Sequence, residues 1–231
     1  MYTAENFITK LKTYASKTEL EKYHKYFQFK GDATSTGDVF IGVRMGQIFA
    51  LAKEFIDMDL KEVEKLLESP IHEIRVGAVS IMDFQARDKK RLEEDKKAIY
   101  DLYIRRHDRI NTWDLVDRSC IYVVGSYLIG KPRDILYKLA KSKFMPERRT
   151  AIVSTAYFIK SKDVEVTFKI AEMLLKDEED LIHKATGWML RTAGGKELLE
   201  FLDKHAKEMP RVMLRYSIEK LSKEQKVHYM S

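Results

Sequence analysis

The sequence predicts an all-α protein, an α-solenoid of stacked helical hairpins, and three observations carry that expectation. Apolar residues recur three and four apart, as in Leu60, Val63, Leu66 and Leu67 or in Ile170, Met173 and Leu174, so these stretches present one apolar stripe of a helix. Alternating strand patterns are scarce, and the ten glycines and four prolines of the 231 residues fall mostly between helical stretches. Five segments also share a local pattern at intervals of roughly 30 to 40 residues, the period of helical-hairpin repeats. They are Arg75-Val-Gly-Ala-Val, Asp117-Arg-Ser-Cys-Ile, Arg149-Thr-Ala-Ile-Val, Lys184-Ala-Thr-Gly-Trp and Arg215-Tyr-Ser-Ile-Glu.

Taken in order, residues 1–30 read as an N-terminal helical hairpin that opens with the amphipathic MYTAENFITKLKTYASK. Phe27 to Gly42 concentrates Gly, Asp, Ser and Thr and reads as a longer loop; its GDATSTGD lacks the Gly-Lys-Ser/Thr of a phosphate-binding loop. Residues 44–231 read as the repeats, helices of about 10 to 15 residues joined by short turns. Pro70, Pro132, Pro146 and Pro210 each sit near a helix start, where a missing N–H costs least. The whole of 1–231 is expected as one domain.

Each repeated segment has a charged residue first and a small one third: Gly77, Ser119, Ala151, Thr186 and Ser217. Little side-chain volume at that place lets a second helix pack closely. In a curved stack the leading positions recur along the inner helices and form a row lining a concave groove. Four of the five, Arg75, Arg149, Lys184 and Arg215, are cationic, as a phosphate backbone requires; Asp117 is the exception and would need a task of its own there. The alternative is that the row is a coincidence of solvated faces.

Composition narrows the function classes. Forty-two basic against 36 acidic residues give a net charge of +6, with a pI near 9.1 and a mean hydropathy of −0.39, a sign that suits a polyanion without deciding for one. Cys120 is the one cysteine, which excludes a disulfide scaffold and favours a reducing compartment; within CIYVVGSYLI it reads as a core thiol. No uncharged apolar run approaches the roughly 20 residues that cross a bilayer, so no membrane association is expected and the chain reads as cytoplasmic and unprocessed. His24, His72, His107, His183, His205 and His228 are scattered without an HExxH or Cys/His pairs, so no metal site is expected. Hydrolase-elbow, dinucleotide and kinase signatures are missing.

What remains is Asn111-Thr-Trp-Asp-Leu-Val-Asp117. Asn111 or Thr112 suits a helix N-cap, after which Trp113 and Asp117, four apart, share one face. Asp114 lies at another angle and suits the helix N-terminus electrostatically. On its own, Trp113 reads either as core or as a platform for a ligand.

NTWDLVD, Pro146-Glu-Arg-Arg149-Thr-Ala-Ile and His183-Lys-Ala-Thr-Gly-Trp188-Met-Leu-Arg191 occur in that order, after GVRMGQIFALAKEF and HEIRVGAVSIM. Together they resemble the DNA alkylation repair family of HEAT-like-repeat glycosylases, the AlkD-like type, from about Gly42 to the C-terminal helices. The resemblance implies a right-handed α-solenoid of HEAT-like helical-hairpin repeats with a concave cationic groove. It also implies a monofunctional DNA glycosylase that releases N3- and N7-alkylated purines, such as 3-methyladenine and 7-methylguanine, without metal or organic cofactor. Asp117 matches the family's catalytic carboxylate, and Trp113 and Trp188 its aromatic pair at the lesion. Arg149 matches a phosphate-contacting arginine, with neighbouring Arg148 as the alternative, and Arg191 matches another backbone contact. Near Tyr157 the family carries a lysine; here Lys160 stands one turn later, and that role is not transferred. The implied partner is double-stranded DNA containing alkylated bases, met by a monomer that is nucleoid-associated when bound. The sequence leaves two alternatives: a non-catalytic repeat protein that binds damaged or branched DNA, or a protein-interaction scaffold.

The implied chemistry is physically coherent. An alkylated purine is cationic and already a good leaving group, so the demand is to stabilise positive charge developing on deoxyribose. A fixed carboxylate near that charge does so and can orient water. Tryptophan faces attract the cation at roughly 0.5 to 2 kcal/mol.

Overall fold

The computed structural model describes residues 2–23 and 37–231, together with the backbone of two short strands between them. Those strands, β1 (Phe29–Lys30) and β2 (Ala33–Thr34), pair antiparallel. The rest of the expected Phe27–Gly42 loop up to residue 36, like His24, lies outside the described residues. From Gly37 onward the described chain is helical, apart from connecting turns and a single bridge between Val39 and Ile71.

The chain packs as two compact units, Met1–Ser119 and Cys120–Ser231. The first holds α1 (Ala4–Lys12), α2 (Lys17–Tyr23), α3 (Met45–Glu54), α4 (Leu60–Leu67), α5 (His72–Arg87), α6 (Glu93–Arg105) and most of α7 (Trp113–Cys120). Local chemistry sets these bounds. The Thr3 hydroxyl accepts the Asn6 N–H at 3.2 Å to cap α1, and the Asp59 carboxylate accepts the Lys61 N–H at 2.8 Å to cap α4. Helix α4 buries Val63, Leu66 and Leu67, the stripe read from the sequence. The sixteen-residue α5 is the unit's central element: it packs on α3, α4 and α6 and is buried along most of its length.

A π-helical segment, Ile121–Ser126, follows α7 directly and begins the second unit. That unit continues with α8 (Asp134–Ala140), α9 (Met145–Val153), α10 (Ala156–Lys160), α11 (Glu165–Met173), α12 (Asp180–Ala193), α13 (Gly195–His205), α14 (Arg211–Ser217) and α15 (Lys223–Met230). Helix α9 packs on α8, α11 and α12, and α12 packs most extensively on α14. Pro146 stands in the first turn of α9 and Pro210 at the N-cap of α14, while Pro70 and Pro132 each lie two residues before a helix, as expected. Several helices are shorter than the sequence suggested. Helix α10 has five residues, and between it and α9 the hydroxyls of Ser154 and Thr155 donate back to the Ala151 and Ile152 carbonyls, competing with the helical ladder.

All five small third positions of the repeated pattern are buried, and close packing explains Gly77 directly, as it does Gly187, the residue after Thr186. A Cβ on Gly77 would stand 2.4 Å from Cζ of the Phe7 ring, and one on Gly187 would stand 2.5 Å from the Met213 carbonyl oxygen of α14. Neither distance is compatible with a side chain, so α1 and α14 approach their partner helices where only hydrogen fits.

Candidate active site

Helix α7 places the NTWDLVD motif. The Thr112 carbonyl accepts the Val116 N–H at 3.3 Å, so Thr112 precedes the first turn as expected. Trp113, Asp114, Asp117 and Arg118 then line an open pocket of about 420 Å³ with Tyr23 from α2, Met45 and Phe49 from α3, and Val76 from α5. All eight residues belong to the first unit. Trp113 and Asp117 are both half-buried and share the pocket, as their spacing of four predicted. The other walls are mostly apolar and aromatic, which lowers the local dielectric around the carboxylates.

Arg118 is fixed at the rim from several sides. Its Nε donates to the Ser80 hydroxyl at 3.0 Å, its Nη1 pairs with Asp83 at 2.5 Å, and the guanidinium lies 4.6 Å from the centre of the Phe49 ring and 4.8 Å from that of Phe84. Burial pushes the Asp83 carboxyl above the usual carboxylate range, with Arg118 and Arg87 pulling the other way. The Tyr23 hydroxyl donates to the Val43 carbonyl, and burial, reinforced by Glu73 and Asp114, raises its pKa.

From Asp114 in the pocket wall a row of charges runs into the interior. Asp114 Oδ1 accepts the Thr112 hydroxyl at 2.7 Å and its Oδ2 stands 2.6 Å from His72 Nε2. His72 Nδ1 is 3.7 Å from Asp38 Oδ2, and Asp38 Oδ1 is 2.5 Å from Arg75 Nη2. Arg75 Nη1 also donates to the Asn111 amide oxygen at 3.1 Å. His72 is 0% exposed and stacks on Phe40 at 4.6 Å. Burial alone would lower its pKa, but the Asp114 charge and hydrogen bonds to Asp114 and Asp38 outweigh it and bring the imidazole up to about 9. Burial likewise opposes ionisation of Asp114 and Asp38, yet His72, with Arg75 at Asp38, holds both below the usual carboxylate range.

This arrangement corrects the sequence expectation for Arg75. The side chain is 0% exposed and bound to Asp38 and Asn111, so it offers nothing to a phosphate backbone. In the second unit Arg148, half-buried, is likewise engaged within the protein. Its Nε and Nη2 grip the two oxygens of Asp177 at 2.6 and 3.1 Å, and its Nη1 donates to the Ser142 and Lys143 carbonyls. Arg149 is 5% exposed, with Nη1 donating to the Leu181 carbonyl at 2.5 Å. Arg191 pairs with the exposed Glu219, Lys184 and Trp188 are half-buried on α12, and Arg215 is exposed on α14. The leading positions of the repeats therefore do not form a uniform row of solvent-facing cations: two of the four point into the protein's own hydrogen-bonding groups.

A family model for DNA alkylation repair enzymes matches residues 7–221, nearly the whole chain and both units. The chain belongs to the DNA alkylation repair enzyme family. Its fold is similar to a solved structure described as a predicted DNA alkylation repair enzyme from Enterococcus faecalis, with a TM-score of 0.71, 17% identity, and coverage of 90% of this chain and 97% of that one. No curated protein matches the chain.

For this DNA alkylation repair family member, the sequence missed His72, Asp38 and the contribution of Tyr23, Met45, Phe49 and Val76 to the pocket. His72 pairs with a residue 42 positions away, a separation that local periodicity does not report. One signal was available: His72 opens α5 two residues after Pro70, so its place at a helix start was readable even though its partners were not. Among the described residues no cluster of His, Cys, Asp and Glu could hold a metal ion, and no helix is long and apolar enough to cross a membrane.

Proposed function

We propose that this member of the family is a monofunctional DNA glycosylase that hydrolyses the N-glycosidic bond of cationic N3- and N7-alkylated purines in duplex DNA. The observation that carries the reading is the shared placement of Trp113 and Asp117 on one face of α7, in one aromatic-walled pocket. In this reading Asp117 stabilises the positive charge that develops on deoxyribose and orients the attacking water. Trp113 offers a π-face to the cationic base or sugar. Trp188 takes the corresponding role on α12, and Arg191, Lys184 and Arg215 contact phosphates, roles supported by the family motifs they occupy or by the cationic positions of the repeats; Arg149, 5% exposed, takes the phosphate contact its motif implies only by exchanging the Leu181 carbonyl for it. The enzyme acts as a cytoplasmic monomer and uses no cofactor, because the leaving group carries its own charge.

The test is release of free base. Purified protein is incubated with methylated duplex DNA, and free 3-methyladenine and 7-methylguanine are quantified over time beside Asp117→Asn. Wild type should release them, whereas the variant should bind the duplex and release none. No release by either protein, with binding intact, would replace this reading by a non-catalytic DNA binder.

A further inference from the structure

The pocket contains two carboxylates, Asp114 and Asp117, and the protein holds the first of them from inside. Both Asp114 oxygens are occupied, Oδ1 by the Thr112 hydroxyl and Oδ2 by His72. Behind His72 stand Asp38 and then Arg75, which is tied in turn to Asn111, two residues before α7. With His72 protonated, two cations and two anions alternate and the row is neutral, the condition under which buried ionisable groups remain charged. The other titratable groups beside it are occupied elsewhere. Glu73 Oε1 accepts the N–H groups of Ile41 and Gly42 at 3.0 and 2.7 Å, and the Tyr23 hydroxyl is on the Val43 carbonyl. Burial against Phe40 and within α5 leaves the His72 ring little freedom, so whatever Asp114 is bound to is itself fixed.

We propose that Asp114, His72, Asp38 and Arg75 form a buried positioning chain that holds the first turn of α7, and with it Trp113 and Asp117, in the geometry the reaction needs. The chain also withdraws Asp114 from the chemistry by neutralising its charge and occupying both its oxygens. Its catalytic consequence rests on the glycosylase reading; its structural consequence does not. When His72 loses its proton the row loses one of its two cations. Asp114 then loses its cation, and the turn that carries Trp113 is released. The high His72 pKa places that event near pH 9.

Two measurements on intact protein test this. In the first, without DNA, the His72 ring protons are followed by NMR as pH rises, together with Trp113 indole signals in a Trp188→Phe background. The Trp113 signals should move with the His72 titration and should show no such transition in His72→Gln. Trp113 signals that ignore His72 titration would overturn the proposal. In the second, single-turnover excision of 7-methylguanine is measured against pH. Wild type should lose rate as His72 deprotonates, with duplex affinity retained. His72→Gln should be slower by about tenfold to a hundredfold at neutral pH, the cost of slight misplacement, and flat where wild type falls. The double variant His72→Gln/Asp114→Asn, which can restore a neutral hydrogen bond, should recover part of that rate. Excision that stays constant through the His72 titration would overturn the positioning role. If wild type releases no base while Trp113 still follows His72, the glycosylase reading fails and the positioning chain stands. Should His72→Gln not fold, the wild-type titration and pH profile decide alone.

Discussion

Arg75 in the first unit and Arg149 in the second occupy the same place in the repeated pattern, and both turn inward onto groups far away in sequence. Arg75 ends on the Asp38 carboxylate, within a row of four buried ionisable groups. Arg149 donates to a neutral backbone carbonyl, that of Leu181. Lys184 and Arg215, at the same place in later repeats, remain half-buried and exposed. The repeat thus specifies where a helix position lies, while the neighbouring segment decides whether a cation there is absorbed into the structure. Where the preceding loop supplies a carboxylate, the arginine becomes part of the scaffold behind the pocket.

The largest effect that would sharpen this contrast is on stability. Arg75→Ala takes one of the two cations out of the row and should destabilise by about 3–5 kcal/mol. Arg149→Ala leaves the Leu181 carbonyl short of a donor and should cost about 1–3 kcal/mol. Denaturant unfolding that found equal losses would break the comparison. Next comes pH. Because the His72 pKa is raised on folding, its stabilisation is complete below the ordinary histidine value of 6.5 and is lost as pH rises through about 9. Asp38 and Asp114, held below their ordinary value of 3.8, contribute stability fully above that value and lose it as pH falls below it through their lowered folded values. Thermal unfolding across pH should therefore show weakening at both ends, and His72→Gln should abolish the alkaline limb.

Smaller effects separate packing from charge. Gly77→Ala and Gly187→Ala force a Cβ onto a ring and onto a backbone carbonyl, and each should cost about 1–3 kcal/mol. Gly46→Ala in α3 meets nothing within 4 Å and should instead gain about 0.4–1 kcal/mol in the same unfolding assay. The smallest changes are expected at the outward cations. Lys184→Ala and Arg215→Ala should alter stability by no more than about 0.5 kcal/mol. Each should lower the salt dependence of duplex binding by about one phosphate's worth, and an unchanged slope would remove that residue from the DNA contacts.

What the sequence disclosed follows from distance along the chain. The helical character, the prolines at helix starts and the joint placement of Trp113 and Asp117 are properties of a single turn or a single helix, and periodicity reports them. The buried small residues at the third positions were readable because close helix packing leaves a local signature. The burial of Arg75 was not, since its partner lies within the expected loop, far away in sequence, and nothing local distinguishes an arginine bound to Asp38 from one facing solvent. Arg148 was obscured in the same way by Asp177. Asp114 was read as serving the helix N-terminus by its charge alone; the structure adds His72, which turns a weak dipole effect into a specific ion pair.

Cys120, fully buried at the last position of α7, is the one thiol in the chain. It equips the natural sequence with a built-in reporter of local opening, because a thiol reagent can react there only while the end of α7 is transiently undone. Labelling kinetics at this one atom would therefore time the breathing of the helix that carries the motif, with no engineered probe. A bound duplex that immobilises α7 would register as a slower clock.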